Sequence, residues 1–312
     1  SVGAELARRG YTVVCGGLGG IMKAVCRGAK MEGGTTIGIL PGESSSAANS
    51  FVDFPIVTGM GHARNVIVVT TGRAVISIDG AYGTLSEIAH ALAAGIPVIG
   101  LNTWELPSRS DLQVEIIHTT TAIDAVKEHL PFSKKKSTIL QNVKFSEYAL
   151  ATFHRAENVD DEKVLNNIIK GIISAKIPTI ISLHPRTRKM LKKFSLLKKL
   201  ESSEHIQILN PQGYLDFLAL MKGCQFILTD SGGIQEENTS PLLSKRVLVL
   251  RKSSERPEAI DLGVASLIPL KYQKIREAIL REWDAKRMNI KTSPYGSGNS
   301  AGKILNVLER HL

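Results

Sequence analysis

The chain has 312 residues, of which 43% are hydrophobic and 22% charged, enough apolar content for a buried core and too even a mixture for a disordered tail. No apolar run approaches the roughly 18 residues that span a bilayer, and no basic segment with an apolar one behind it opens the chain, so a soluble, cytoplasmic protein of about two domains is expected. The net charge of +10 is uneven: residues 1–112 set eight Lys and Arg against eight Asp and Glu, and the whole excess lies beyond them.

Aromatic residues are only 5%, and the lysines gather in an expected linker (Lys134, Lys135, Lys136) and on an expected helix (Lys189, Lys192, Lys193, Lys198, Lys199). That pattern fits a solvated face or an attraction for small anions; no nucleic-acid partner and no membrane partner are expected. Three cysteines, Cys15, Cys26 and Cys224, with no C-x-x-C spacing, argue against a disulfide framework and against zinc, and favour a reducing compartment. No metal-ligand spacing is present elsewhere, and no cofactor is expected. The chain begins at Ser1 already inside a helical pattern.

In chain order, residues 11–15, 35–40, 74–78 and 96–101 read as strands, with helices at 21–31, 64–70 and 84–94 between them. The second part repeats the scheme, with strands at 148–153, 179–183, 206–209, 226–229 and 247–250 and helices at 162–173, 187–193, 214–221 and 271–281. Apolar strands bounded by glycine and alternating with helices predict parallel sheets covered on both faces. Residues 131–137, a proline followed by three lysines, have the composition of an exposed segment.

Two glycine-rich turns follow strands in the first part. Gly16, Gly17, Gly19 and Gly20 precede one helix, and Gly80 and Gly83 precede another that carries Thr84 and Glu87. Amides at a helix start hold phosphate. The order GGLGGIM, IGILPG, GHARN and GAYGTLSEI resembles the lysine-decarboxylase-like family, which includes cytokinin-activating phosphoribohydrolases and nucleotide- or molybdenum-cofactor-carrying proteins. The resemblance covers about residues 1–112 and implies phosphate binding by Gly80, Gly83 and Thr84, with Glu87 acting at a ribose and Arg64 assisting. Asp79, Gly80 and Ala81 stand where the enzymes usually read Pro-Gly-Gly, and the family's first strand is expected upstream of Ser1.

In the second part, ATFHRAENVDD places His154 and Arg155 at a strand end, and LTDSGGIQEE is a strand, a Ser-Gly-Gly turn and a helix. The turn offers Ser231, Gly232 and Gly233 to a diphosphate, and Glu237 lies about one and a half turns on. LRKSSERPEA adds Arg256 beside Pro257. With His184–Pro185, NPQGYLDFLALM and PYGSGNSAGKIL, these motifs resemble the C-terminal, UDP-binding half of UDP-N-acetylglucosamine 2-epimerases, from about residue 122 onward. The resemblance implies His154 near the diphosphate and reacting sugar as the catalytic residue. Arg155 is expected among the substrate-binding groups, Gln212 and Phe217 around uracil, Ser231, Gly232 and Gly233 on phosphate, Glu237 on ribose and Arg256 in the same site. Phe217 read by itself fits core packing equally well.

The expected fold is α/β, two Rossmann-like doubly wound parallel-sheet domains in series, residues 1–115 and 116–312, the second like the C-terminal domain of a GT-B fold. The segment IIHTTTAIDAVKEHL fits both families at their junction, with Thr120 and Thr121 in place of the epimerases' Gly-Asn. It marks either a natural fusion or a joined gene model. The activity implied is interconversion of UDP-GlcNAc and UDP-ManNAc by UDP elimination and re-addition, weakened because the epimerase N-terminal motifs are missing. The alternatives are a phosphoribohydrolase working through Glu87 and Arg64, and a non-catalytic nucleotide-binding fusion. The resemblances carry over a homodimer as the expected assembly.

Overall fold

The computed structural model describes residues 2–101, 103–104, 114–117, 121–286 and 288–311. Packing divides the chain into two units, Ser1–Thr121 with Asn299–Leu312, and Ala122–Gly298. Among the described residues no helix is long and apolar enough to cross a membrane.

The first unit runs α1 (Val2–Arg8), β1 (Val13–Cys15), α2 (Ile21–Met31), β2 (Thr36–Leu40), β3 (Phe54–Val57), α3 (Asn65–Thr71), β4 (Val75–Ile78), α4 (Tyr82–Ala93), β5 (Val98–Leu101) and β6 (Val114–Ile117). Among the described residues its strand pairs are parallel, in two ladders of order β1-β2-β3 and β4-β5-β6. The strand β3 was not foreseen, since Pro55 argues against a ladder. Pro55 is tolerated because β3 lies at a sheet edge, where a missing N–H leaves no partner wanting.

From the far end of the chain the last helix, α14 (Ser300–His311), joins this unit. Ile304, Leu305 and Leu308 enter one apolar cluster with Val2, Leu6, Val13, Ile99 and Leu101. Their spacing places them on one helix face.

The second unit holds α5 (Thr121–Lys136), β7 (Ala149–Thr152), α6 (Ala156–Val159), α7 (Glu162–Ala175), β8 (Thr179–Ser182), α8 (Pro185–Lys193), α9 (Leu197–Glu201) and β9 (Ile206–Leu209). It continues through α10 (Tyr214–Gly223), β10 (Phe226–Thr229), α11 (Gly232–Asn238), β11 (Arg246–Val249), α12 (Pro257–Asp261), β12 (Ala265–Leu267) and α13 (Tyr272–Trp283). Its six parallel strands lie in the order β12-β11-β10-β7-β8-β9, that of a doubly wound sheet whose direction of winding reverses between β7 and β10. The central strands are buried on both faces, with Ala149, Leu150, Ala151, Ile227 and Leu228 inaccessible to solvent, which is why they read as continuous apolar runs.

The lysine-rich segment departs from expectation. Lys134, Lys135 and Lys136 form the last turn of α5 and not a linker, and the helix runs through Pro131. Proline removes a single N–H from the ladder, cations suit a helix C-terminus, and the Ser133 hydroxyl donates to the Leu215 carbonyl at 2.6 Å, fastening this turn to α10. The three lysines are exposed, as their composition indicates. At the junction, Thr120 lies outside the described residues, between the end of β6 at Ile117 and the start of α5 at Thr121.

Candidate functional site

Open parallel sheets bind ligands beyond the strand C-termini where the winding reverses. In the second unit that point lies beyond β7 and β10, the strands followed by His154–Arg155 and by Asp230–Ser231. Asp230 is wholly buried. Its carboxylate accepts the backbone N–H of His154 at 3.0 Å, that of Arg155 at 2.9 Å and the Asn158 side-chain amide at 2.9 Å. The Asn158 amide also donates to the Leu250 carbonyl at 2.7 Å, so a single carboxylate ties together the chain leaving β7, β10 and β11.

The His154 ring is held beside this acceptor, Nδ1 3.5 Å from Asp230 Oδ1, and its centroid lies 5.0 Å from that of His184. His184 begins α8 and its Nδ1 accepts the Arg186 N–H at 3.2 Å, a bond that requires neutral imidazole. Burial, then the neighbouring His154, pull the His184 pKa below its ordinary value. Arg186 pairs with Asp160 and holds that carboxyl below the usual range.

The Ser-Gly-Gly turn lies alongside. Ser231 precedes α11, and its side chain makes no capping bond. The first amides of a helix have no intrahelical acceptor, so a free hydroxyl and free N–H groups stand together. A Cβ on Gly232 would meet Arg256 Cζ at 3.9 Å, which places the guanidinium over the glycine, and Gly233 faces open space. Arg256 is fixed by an ion pair with the buried Glu236. The segment carrying Arg256 is tethered in turn: Arg251, itself buried, reaches Glu157 at 3.3 Å and Glu255 at 3.0 Å, and Arg155 reaches Glu255 at 3.7 Å. Hydroxyl, glycine amides and guanidinium thus lie in one place, and groups of these kinds are ones that can hold an anion.

Glu237 lies further along α11. Burial pushes its carboxyl up to about 7, against the lowering effect of the Tyr214 hydroxyl, which donates to it at 3.1 Å. Gln212 bonds the Asn210 carbonyl at 2.6 Å. Phe217 is half-buried against the apolar cluster of Leu150, Ile180 and Leu218.

Of the expected residues, His154, Arg155, Ser231, Gly232 and Arg256 form one cluster in this unit, while Glu237 lies with Tyr214, a residue that the sequence did not single out. Sequence reasoning passed over Asp230, Asn158, Arg251 and Glu236. A signal for Asp230 was present: a carboxylate immediately after the apolar strand FILT cannot stay buried without several donors.

In the first unit, buried Arg64 donates to Asn65 Oδ1 at 2.9 Å and reaches Glu87 Oε1 at 3.4 Å. Burial raises the Glu87 carboxyl, opposed by that guanidinium. The turn before α4 is left-handed at Asp79 (φ 54°), and Gly80 has φ 131°. A Cβ on Gly80 would meet Thr84 Cβ at 2.4 Å, so Thr84 packs on the glycine backbone, while Gly83 faces open space. Arg64, Glu87, Thr84, Gly80 and Gly83 thus belong to one neighbourhood, joined through Asn65, whose amide reaches the Gly83 carbonyl at 3.4 Å.

Residues 111–309 match the family described as UDP-N-acetylglucosamine 2-epimerase, and residues 1–131 match the SLOG cluster4 family. A UDP-N-acetylglucosamine 2-epimerase of Methanocaldococcus jannaschii is 39% identical over 196 residues, 60% of this chain and 52% of the relative. An uncharacterized protein of Archaeoglobus fulgidus is 49% identical over 118 residues, 35% of this chain and 78% of its own length. The chain spans about half the length of the curated epimerases it matches. Among solved structures, the UDP-GlcNAc 2-epimerase of M. jannaschii is similar with a TM-score of 0.70 at 26% identity, over 93% of this chain and 96% of that one. A second structure from that organism, in complex with UDP-GlcNAc and UDP, has a TM-score of 0.65 at 25% identity, over the same shares of the two chains.

Proposed function

The chain belongs to the UDP-N-acetylglucosamine 2-epimerase family through residues 111–309, and on that premise we propose that its second unit binds UDP-GlcNAc beyond the ends of β7 and β10. In this reading Ser231, Gly232, Gly233 and Arg256 take the diphosphate and Glu237 the ribose. Gln212 and Phe217 flank the uracil, and His154 with Arg155 faces the sugar. The observation that carries the reading is Asp230, a buried carboxylate at the reversal of the sheet that holds the His154–Arg155 backbone against the phosphate turn.

The reaction is interconversion of UDP-GlcNAc and UDP-ManNAc, begun by removal of the sugar C2 proton. Proton abstraction there needs a positioned base. The epimerase resemblance draws its acidic residues largely from an N-terminal domain, and here residues 1–131 match another family, which supports weak turnover. The two family matches overlap over residues 111–131, which supports a domain seam there. A cytoplasmic setting and a homodimer complete the reading.

Calorimetric titration of the whole chain with UDP and with AMP tests the reading. Heat with UDP that disappears in a Ser231→Ala, Glu237→Ala double variant is the expected result, and silence with UDP overturns it. Rapid conversion of UDP-GlcNAc by the purified chain would overturn the expectation of weak turnover alone.

The Arg64–Glu87 pair supports a second reading, a phosphoribohydrolase site in the first unit acting on a nucleoside monophosphate. Heat with AMP and base release that is lost in Glu87→Ala but kept in His154→Ala would move the function there.

A further inference from the structure

Cys15 ends β1 and Cys26 lies in the second turn of α2, on either side of the turn Gly16–Gly20. Their sulfurs are 3.5 Å apart. Cys26 is completely buried and Cys15 nearly so. The Gly17 N–H points back to Cys15 Sγ at 3.4 Å, a contact that favours a thiolate. A Cβ on Gly16 would meet the Arg64 guanidinium at 2.4 Å, so a fixed cation lies one residue from Cys15. The Cys26 contact, with help from that cation, pulls the Cys15 thiol below its ordinary value, whereas the Cys15 contact and then burial push Cys26 up. One sulfur is thereby prepared as nucleophile and its neighbour keeps its proton.

We propose that Cys15 and Cys26 form a redox-active dithiol, in which Cys15 reduces a small peroxide and Cys26 then closes a disulfide across the glycine turn. Cys15 thiolate attacks one peroxide oxygen; an S–O bond forms, the O–O bond breaks, and hydroxide leaves and is protonated to water. The Cys26 sulfur then attacks Cys15 sulfenic acid; the S–S bond forms, the S–O bond breaks, and the departing hydroxide takes the Cys26 proton as a second water. Two thiols lose two electrons and hydrogen peroxide gains them. Closing the gap from 3.5 Å to the roughly 2.05 Å of a disulfide is a movement on the scale of side-chain rotation. The turn is already anchored by the Asn49 amide, which donates to the Gly17 and Leu18 carbonyls at 3.1 and 3.0 Å, so the cross-link would lock the start of α2 to β1.

The third cysteine serves as an internal control. Cys224 is buried with its thiol pushed up to about 12 by burial, a poor target for peroxide. The whole chain is treated with hydrogen peroxide, quenched, unfolded, alkylated with a maleimide and mapped by mass spectrometry. The expected result is a Cys15–Cys26 linked peptide, restored to two alkylated thiols by a reductant, with Cys224 alkylated throughout. In Cys26→Ala, dimedone is expected to trap a sulfenic acid at Cys15. Full alkylation of all three cysteines after peroxide overturns the proposal, as does a link from Cys15 to Cys224 or to a second chain. The wild-type map decides the matter whatever the variant does.

Discussion

The Asp230 carboxylate lies within 2.9–3.1 Å of the backbone nitrogens of both His154 and Arg155, so a side chain from the end of one strand holds the chain that leaves another. It also takes a third donor, from Asn158. Asp230→Ala would leave the part-buried N–H groups of His154 and Arg155 without their acceptor, while the Asn158 amide keeps the Leu250 carbonyl. At roughly 1–3 kcal/mol for a buried unsatisfied group, softened by relaxation, a loss of about 3 kcal/mol is expected, together with the loss of UDP binding. Urea unfolding of the whole chain reads the first, and titration the second.

Arg256 pairs with Glu236 and, in the proposed site, also faces the diphosphate, two roles that a double variant separates. Arg256→Ala leaves Glu236 buried without its cation, at a cost of about 2 kcal/mol, less than for a fully buried pair because the guanidinium is partly exposed. UDP affinity is expected to fall about tenfold or more from the lost charge-assisted bond. A paired Arg256→Ala, Glu236→Gln variant is expected to recover most of the stability and none of the affinity. Recovery of both would mean that Arg256 serves the fold alone.

Glu237 gives a pH dependence with a definite sign. Its carboxyl titrates at about 7 in the folded chain against an ordinary 4.5, so the folded state binds this proton more tightly than the unfolded one. Its contribution therefore turns unfavourable as pH rises from about 4.5 through 7. Glu237→Gln, which still accepts from Tyr214, is expected to stabilise the chain by about 2 kcal/mol at pH 8 and hardly at all at pH 4.5. UDP binding should move the other way, tightening as pH passes 7, because the ionised carboxylate is the better acceptor for ribose hydroxyls. Denaturation midpoints and titrations at these two pH values check both directions.

The glycine turn of the first unit offers a test that leaves the second untouched. Gly80 sits at φ 131° with no room for a Cβ beside Thr84. Gly80→Ala is expected to destabilise by about 2 kcal/mol through backbone strain and displacement of Thr84. If the two units carry separate sites, UDP affinity is unchanged while any AMP heat is lost.

Much of this could be read from the one-dimensional pattern. Central strands such as 226–229 are apolar throughout because both faces are covered, and the glycines at 232 and 233 announce a close approach of backbone to something. Local chemistry reveals such features because each depends on only a few neighbouring residues. The edge strand β3 stayed hidden because Pro55 contradicts a ladder unless the strand is known to lie at an edge. The helical course of Lys134–Lys136 stayed hidden because the Ser133–Leu215 bond that anchors it spans 82 residues.

By itself the sequence determined the α/β class, the positions of the glycine-rich turns and the two family likenesses, since these rest on short-range spacing of glycine, apolar and charged residues. Only the tertiary structure decided that Asp230 gathers His154, Arg155 and Asn158, that Arg256 lies over Gly232, that Cys15 meets Cys26, and that α14 returns to pack with Val2 and Leu6. The physical reason is the same in each case. A buried charge, a guanidinium or a helix face must find partners where burial brings them, and the order of residues along the chain does not say how far away those partners will be.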